Sequence, residues 1–303
     1  MNRRRINGAR LLMTAALLFV LSTFAFAEAQ SEKPSGVQVV AAENTYGDLV
    51  QQIAGIHAHV LSIISDPNVD PHEYEANVDN ARQIADADII IENAGGYDTW
   101  MDKLMATTQN SKRVLIKAFD LATTHLKENE HVWYNPDNVI VISQKILDAL
   151  KAKDPADAAE FDANFAALKP EIEKLDARLA DLKTKYAGTP IALTETIFLY
   201  QSELIGLKVL TPWTFEKAIA EGNDPSAADA ITAEQQITSR QAKILVYNVQ
   251  TVTPITTKLQ DEAKVLSIPI VPVSETMPPG LHYQSWMSKQ LDVLENALEQ
   301  ARQ

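Results

Sequence analysis

The sequence predicts an α/β protein of two lobes, each a largely parallel sheet flanked by helices, with one long rigid helix bridging them. Three observations favour this class. Short β-branched apolar runs alternate with amphipathic stretches in the first half of the chain, and the same alternation returns in the second half. Between the halves lies a stretch with helical periodicity alone. Strands separated by helices form βαβ units, whose strands pair in parallel.

The first half alternates predicted strands with predicted helices. The strands are runs rich in valine and isoleucine, a composition typical of buried strands. The turn-forming residues at 93–96, Asn-Ala-Gly-Gly, end the third strand. In chain order the predicted elements are a strand at 37–42, a helix at 46–54, a strand at 60–64, a helix at 80–87, a strand within 88–92, a helix at 98–105 and a strand at 113–117.

One long amphipathic helix is predicted at 155–186. Apolar residues recur there at intervals of three and four, with charged residues between them. Pro170 falls inside this pattern, where it removes a backbone donor and crowds the preceding turn. We therefore expect a kink at Pro170, or two abutting helices. Gly188 and Pro190 close the segment.

The second half resumes the alternation. Pro269 and Pro272 cannot donate to a strand ladder, so the last strand is expected at a sheet edge or broken early. The residues at 232–235, Thr-Ala-Glu-Gln, fit a capping box that opens a helix. The predicted strands are 191–194, 208–210, 244–246 and 268–273, and further helices are predicted at 253–263 and 285–300.

The N-terminus has the pattern of a cleavable secretory signal. Four arginines precede an apolar run at 11–24, which is shorter than the roughly 20 residues that span a bilayer. The small residues at 25–27, Ala-Phe-Ala, supply a cleavage site. We predict a signal peptide at 1–27, an N-terminal lobe at 28–154, a linking helix at 155–186 and a C-terminal lobe at 187–303. The chain has no cysteine, so neither a lipid-modified cysteine nor a disulfide is expected, and a bacterial periplasm is the predicted location.

The charge balance narrows the choice of partners. Cleavage removes four arginines and no acidic residue, which changes the net charge by four, from −13 to −17. An acidic protein is not attracted to nucleic acid or to an anionic membrane surface, so neither is expected as a partner. A cation is compatible with this charge. We expect a monomer.

Four loop residues with metal-ligating side chains stand out. His72 lies in the run Asp-Pro-His-Glu-Tyr-Glu at 70–75, and His131 lies in Glu-His-Val-Trp at 130–133. Glu195 and Glu275 each end an apolar strand-like run in the second half. Ligands of parallel sheets lie in loops at the carboxyl ends of strands. The four side chains therefore suggest one metal ion held between the two lobes.

These segments together resemble the metal-binding receptors of bacterial ABC transporters for manganese and zinc. The run at 70–75 resembles that family's first ligand loop at nearly every residue. Residues 130–136 resemble its second ligand loop, which more often has Asp-Pro before the histidine. Residues 194–198, Thr-Glu-Thr-Ile-Phe, resemble the third. At 274–276, Ser-Glu-Thr stands where the family usually has Thr-Asp, so the fourth ligand is one methylene longer here.

The resemblance implies one divalent ion, held between two α/β lobes and delivered to an inner-membrane ABC transporter permease. It implies His72, His131, Glu195 and Glu275 as the ligands. Within the family, a glutamate rather than a third histidine at the position of Glu195 indicates manganese, as does the short loop before the second ligand. Mn²⁺ is therefore favoured, with up to six donors if both glutamates bind through two oxygens. Zn²⁺ is the alternative, because it lies above Mn²⁺ in intrinsic affinity.

The other four histidines and two loop glutamates can each be explained without a role in metal binding. A histidine pair two apart also occurs at a strand entrance, and single loop histidines are common. Loop carboxylates near a ligand can be solvated or can accept the second N–H of a ligating imidazole. His57, His59 and His282 are interpreted as structural, His125 as a loop residue that can pass an ion inward, and Glu73 and Glu75 as either solvated acids or partners of His72.

Three other functions are weighed against metal capture. A metal-dependent periplasmic hydrolase needs an open coordination position and a nearby base, and the chain has neither an HExxH nor a GxSxG motif. We therefore predict that the protein is not an enzyme. An adhesin is disfavoured by the missing lipid anchor. A receptor for a chelated metal needs a broad aromatic or basic cleft, whereas the motifs here combine histidines with acids and favour a bare ion.

Overall fold

The structure is a computed structural model that describes residues 36–108 and 110–302. Two parallel four-stranded sheets organise this part of the chain. Helices flank both sheets, which confirms the predicted α/β class. The signal peptide predicted at 1–27 lies outside the described residues. The strands are β1 Val37–Glu43, β2 Ala58–Ile64, β3 Ile89–Glu92, β4 Val114–Lys117, β5 Pro190–Leu193, β6 Lys208–Val209, β7 Leu245–Asn248 and β8 Ile270–Val273.

The first sheet has the strand order β2-β1-β3-β4, with every pair parallel. Val39 on β1 pairs with Val60 on one side and with Ile89 on the other. Its helices are α1 Asn44–Ala54, α2 Val78–Asp86, α3 Thr99–Thr107, α4 Ala118–Leu121 and α5 Pro136–Lys153. Helix α5 was not among the predicted elements, although Asn135 accepts a hydrogen bond from Asp137 N as its N-cap and Pro136 occupies its first position.

A single helix, α6 Ala158–Tyr186, follows the first sheet. The expectation of two abutting helices at Pro170 is wrong, because the helix runs through this residue without a break. Pro170 lies on the exposed face, and so does Ala166, whose carbonyl loses its partner to the proline. Water can satisfy that carbonyl. The opposite face is buried in the core through Phe161, Phe165, Leu168, Ile172, Leu175, Leu179, Leu182 and Tyr186.

Asp176 on α6 gives a test of how this helix is packed. Burial raises the pKa of its carboxyl to about 6, and the charges of Asp137 and Glu173 add to the rise. Because the folded-state pKa lies above the unfolded value, the charged form destabilises the fold at high pH, and this effect disappears as the pH falls below both values. Asp176→Asn in metal-free protein should therefore raise the melting temperature by about 3 °C at pH 8, a figure discounted for the half-exposed side chain, and give no gain at pH 3.

The control for this experiment is Asp181→Asn on the same helix. Asp181 is exposed and pairs with Lys185 at 2.6 Å between carboxylate oxygen and Nζ. Removing its charge should give no gain in melting temperature at pH 8. An equal gain in both variants would show that net charge, rather than the surroundings of Asp176, sets the effect.

The second sheet has the order β6-β5-β7-β8, again parallel throughout. β8 lies at an edge, as its prolines predicted. The capping-box prediction at 232–235 is wrong: the helix begins at Ala227, after the N-cap Ser226, and the Thr232 hydroxyl donates inside it to Ala228 O at 2.8 Å. The helices of this half are α7 Leu199–Ile205, α8 Trp213–Ala220, α9 Ala227–Thr238, α10 Pro254–Val265 and α11 Tyr283–Gln300.

Direct contacts join the two halves. One hydrophobic core includes residues of the first sheet, of α6 and of α11. The Asn44 side chain donates to Met277 O at 2.7 Å and accepts from Met277 N at 2.9 Å. The Gln250 amide donates to Val69 O at 2.8 Å. The domain boundaries given above stay a prediction. Among the described residues, no helix combines the length and apolar character that a membrane span requires.

Candidate metal centre

The four predicted ligands lie on loops between regular elements. His72 follows β2 on a short 3₁₀ turn, Pro71–Glu73, and Glu195 lies two residues after β5. Glu275 lies two residues after β8, and His131 precedes the 3₁₀ turn Val132–Tyr134 in the long loop before α5. Parallel strands carry their following loops to one edge of each sheet. This topology explains how residues from distant parts of the sequence approach one another.

Three of the four side chains converge. The donor atoms of His72, His131 and Glu275 all lie within 4.8 Å of one another. Glu275 Oε2 is 3.8 Å from His72 Nε2 and 3.9 Å from His131 Nε2. His131 is fully buried and Glu275 is 1% exposed, whereas 14% of the His72 side chain is exposed, so solvent meets the group at His72. Glu195 is buried but is not part of this group.

Several buried polar atoms at the candidate site have no hydrogen-bond partner. Among the described residues, His72 Nε2, His131 Nε2 and Glu195 Oε1 are buried and have no hydrogen-bond partner. Leaving such atoms unpaired costs free energy, and most buried polar atoms in proteins are hydrogen-bonded. Imidazole nitrogens and carboxylate oxygens are ligands of divalent transition metals. The residues present therefore fit a metal ion.

Asn129 fixes the orientation of His131. Its Nδ2 donates to Thr196 O at 2.7 Å, which turns Oδ1 toward the histidine. Asn129 Oδ1 then accepts from His131 N and from His131 Nδ1, each at 3.0 Å. The ring proton is thus required on Nδ1, and Nε2 keeps a free lone pair. Asn129 also connects the His131 loop to the loop that begins at Glu195.

Glu275 is held from both lobes. Tyr97 OH donates to Glu275 Oε2 at 2.7 Å, and Asn248 Nδ2 donates to Glu275 Oε1 at 2.6 Å. The Glu275 backbone N–H donates to Gln250 Oε1 at 2.6 Å. A carboxylate has about four lone-pair sites, so either oxygen can still bind a metal. These contacts fix the side chain before any ion arrives.

Glu195 has one oxygen engaged and one free. Oε2 accepts from Ile197 N at 2.9 Å and thereby caps the turn Thr196–Phe198, while Oε1 has no partner. Burial raises the pKa of this carboxyl well above its usual value, and the negative charge of Glu275 raises it further. A divalent cation near both carboxylates would remove this repulsion.

The other pKa shifts have the same cause. Burial lowers the pKa of His72, and it lowers the pKa of His131 far below its ordinary value, so both imidazoles are neutral at neutral pH. Burial raises the pKa of Glu275 to about 7, although the hydrogen bonds from Tyr97 and Asn248 oppose the rise. An arriving cation takes the place of protons at the carboxylates and finds the nitrogens unprotonated.

The remaining histidines lie outside this group. His125 Nε2 lies 2.7 Å from Phe119 O, and His282 Nδ1 lies 2.7 Å from Asp48 Oδ1. His57 forms a second group with Asp154 and Asp157, but its two ring nitrogens already lie 2.7 Å from Asp157 Oδ2 and 3.0 Å from Glu160 Oε2. A protonated His57 between carboxylates explains that arrangement.

The residues that support the candidate ligands were not predicted from the sequence. Glu73 and Glu75 were interpreted as partners of His72 or as solvated acids; Glu75 is exposed, and the acceptor at the other histidine, His131, is Asn129. Tyr97, which holds Glu275, also packs edge-on against His72 with ring centroids 4.6 Å apart. The position of Asn129, two residues before a candidate ligand, was a usable signal. Tyr97 and Asn248 carried none, because they are 178 and 27 residues away from Glu275 in the sequence.

Known proteins are similar to this chain over most of its length. Residues 39–297 match the ZnuA family, described as "Zinc-uptake complex component A periplasmic". The chain is 26% identical over 310 residues to the iron ABC transporter substrate-binding lipoprotein MtsA of Streptococcus pyogenes, a match that covers 94% of this chain and 96% of MtsA.

Solved structures share the fold. The periplasmic zinc binding protein TroA from Treponema pallidum has a TM-score of 0.73 at 20% identity, over 87% of this chain and 99% of its own. FpvC from Pseudomonas aeruginosa, in complex with Mn²⁺, has a TM-score of 0.73 at 19% identity, over 88% of this chain and 99% of its own. These three proteins are thus described with three different metals: iron for MtsA, zinc for TroA and Mn²⁺ for FpvC.

Proposed function

Because this chain belongs to the ZnuA family, we propose that it binds a divalent transition-metal ion with high affinity, Mn²⁺ in preference to Zn²⁺, and delivers it to an ABC transporter permease in the inner membrane. Members of the family are metal-binding components of ABC transporters and not enzymes, which agrees with the sequence prediction. The observation that carries the proposal is the group formed by His72, His131 and Glu275, in which both histidine Nε2 atoms are buried and unpartnered. A further buried carboxylate oxygen without a partner, Glu195 Oε1, is available to it.

The proposed ligands are His72, His131, Glu195 and Glu275. The three grouped side chains receive the ion, and Glu195 supplies its free Oε1 with a small movement of the side chain or loop. Two carboxylates balance the charge of a divalent cation, and two neutral imidazoles complete the set. No bond is broken in this process. The ion exchanges its water ligands for protein ligands.

Oxygen donors and the absence of a thiolate support Mn²⁺. The chain has no cysteine, and carboxylates suit Mn²⁺ better than they suit softer ions. Tyr97 and Asn248 hold both oxygens of Glu275 in fixed positions at the centre, where the carboxylate can bind through one oxygen or two. Binding through two would raise the coordination number above four, which Zn²⁺ in protein sites rarely exceeds.

One observation supports Zn²⁺ as the second candidate. Glu195 Oε2 is engaged by Ile197 N, and both Glu275 oxygens accept hydrogen bonds. If the Ile197 bond persists and Glu275 binds through one oxygen, each carboxylate gives the ion one oxygen, and the site becomes a four-coordinate set of two nitrogens and two oxygens. That is the usual arrangement for Zn²⁺.

Delivery to the permease requires only a limited movement. The shared core, the continuous helix α6 and the Asn44 to Met277 hydrogen bonds oppose a wide opening of the two lobes. Release of the ion would instead come from movement of the His72 and Glu195 loops. The family is extracytoplasmic, and we infer a monomer in the periplasm after removal of residues 1–27.

A competitive titration tests the metal preference. Demetallated protein beginning at residue 28 would be titrated with MnCl₂ and with ZnCl₂, with binding followed by thermal shift and the retained metal measured by elemental analysis. We expect tight binding of Mn²⁺. The affinity for Zn²⁺ should exceed that for Mn²⁺ only by the modest margin that the intrinsic order of metal affinities gives. Tight binding of Zn²⁺ with hardly any of Mn²⁺ would make this a zinc receptor, and tight binding of neither ion would contradict the proposed function.

A further inference from the structure

Glu130 is a buried carboxylate beside the metal centre that the four proposed ligands do not include. Its side chain is 7% exposed, and Oε1 lies 3.8 Å from His72 Nε2. Glu275 Oε2 lies at the same distance from that nitrogen. Glu130 nevertheless does not belong to the group formed by His72, His131 and Glu275. His72 thus stands between two carboxylates, and only one of them belongs to the grouped donors.

Lys217 on α8 places a positive charge near the other carboxylate oxygen of Glu130, Oε2. Its Nζ lies 3.7 Å from Glu130 Oε2 and 3.2 Å from Glu221 Oε1. The first distance is too long for a hydrogen bond, so Lys217 contributes charge to Glu130 without fixing it. Lys217 therefore has an alternative partner in Glu221, which is half exposed. The Oε1 of Glu130 remains directed toward the unpartnered nitrogen of His72.

We propose that Glu130 is a transient entry ligand: together with His72 it holds the incoming divalent cation first, and the ion then moves to His131, Glu195 and Glu275. This inference rests on the proposed function. His72 is shared between the entry pair and the buried group, because its Nε2 faces Glu130 and Glu275 at equal distances. Lys217 balances the charge of Glu130 before the ion arrives and keeps its closer contact with Glu221 while the ion passes.

The physical benefit is stepwise removal of water from the ion. An ion entering the buried group directly would lose most of its hydration shell before protein ligands replaced it, and desolvating an unpaired charge is costly. A carboxylate beside the most exposed ligand replaces part of the shell first. Unlike Glu195, whose buried Oε1 has no partner, Glu130 faces the positive charge of Lys217, so we place Glu130 outside the final ligand set. In that position it stabilises the entry step and not the bound state. It therefore speeds capture and release by the same factor and leaves the affinity nearly unchanged.

The test compares rates with affinity in Glu130→Gln, a substitution that keeps the size of the side chain. Association of MnCl₂ with the demetallated protein would be followed by stopped-flow tryptophan fluorescence, and release would be measured after mixing with excess EDTA. We expect both rate constants to fall by about 10-fold, within the range by which local charge alters association, while Kd stays nearly constant. A faster release with unchanged association would identify Glu130 as a permanent ligand and overturn the inference.

Glu221→Gln is the matched control. It removes the same charge from the neighbourhood of Lys217 and His72, since the negative charge of Glu221 reaches the His72 ring. Long-range attraction predicts equal effects of the two substitutions, and predicts that both vanish at about 1 M salt, where the Debye length is about 3 Å. Direct contact predicts a larger effect for Glu130→Gln that persists at high salt. Equal effects, or unchanged rates in Glu130→Gln, would overturn the inference.

Metal binding by the protein and the role of Glu130 can be tested separately. If the wild-type protein binds neither Mn²⁺ nor Zn²⁺ tightly, the proposed function and this inference are both wrong. If the wild-type protein binds tightly and Glu130→Gln has wild-type kinetics, only the role of Glu130 is wrong. Circular dichroism of each variant confirms that the fold is retained.

Discussion

Replacement of His72 by alanine is expected to abolish tight metal binding while leaving the fold intact. Removing the hydrogen-bond partner of a metal ligand lowers metal affinity by roughly 10- to 100-fold. The loss of affinity in His72→Ala should be larger, because the substitution removes a nitrogen donor itself. His72 lies on a short turn, is the most exposed member of the grouped donors and is not part of the hydrophobic core, so its loss removes only an edge contact with Tyr97 from that core. Calorimetric titration with MnCl₂ and with ZnCl₂ measures the affinity, and thermal denaturation of the metal-free protein measures stability.

The matched control is His59→Ala. His59 is an exposed histidine on β2, the strand that leads into the His72 loop, and we expect wild-type affinity in this variant. Glu195→Gln extends the test to the ligand outside the three-residue group, since the amide oxygen can still accept from Ile197 N while the charge is lost. Wild-type affinity in either His72→Ala or Glu195→Gln would refute the assignment of that residue as a ligand.

The second large effect is expected at Asn129, which contacts no ion. Asn129→Ala should weaken metal binding by about 10- to 100-fold, because His131 loses the acceptor that fixes its proton on Nδ1 and orients its ring. The substitution also leaves Thr196 O without its donor, so the loop after Glu195 should loosen. The affinity for MnCl₂, measured at constant pH, checks the prediction.

Asn138→Ala separates this effect from a general loss of packing. Asn138 is equally buried, and its Oδ1 accepts from Thr123 N and Thr124 N, each at 3.0 Å. Both variants should lose thermal stability, since each leaves buried polar groups unpaired. Only Asn129→Ala should lose affinity. A similar loss of affinity in both would show that loop stability, and not the orientation of His131, controls the site.

The architecture was predictable because its signals are local. A strand buried between helices needs a continuous β-branched run, and a helix packed on one face needs apolar residues at intervals of three and four. The misses have the same origin. Pro170 indicated a kink or two abutting helices, but whether a proline is tolerated depends on which face of the helix meets water. The residues at 232–235 match a capping pattern, yet the helix had already begun at Ala227.

The sequence by itself determined the fold class, the family resemblance and the candidate ligands, because each of these is expressed in contiguous residues: periodic runs, and short motifs around His72, His131, Glu195 and Glu275. Only the tertiary structure decided which side chains meet. It grouped three of the four and left Glu195 outside the group, near enough for the charge of Glu275 to raise its pKa. It also placed Asn129, Tyr97, Asn248 and Glu130 around the group. Hydrogen bonds and charge contacts act over a few ångströms of space, whatever the separation along the chain. Periodicity and motifs therefore specify the sheets and mark the candidate ligands, while the hydrogen bonds that support those side chains form only after the loops of both sheets have come together.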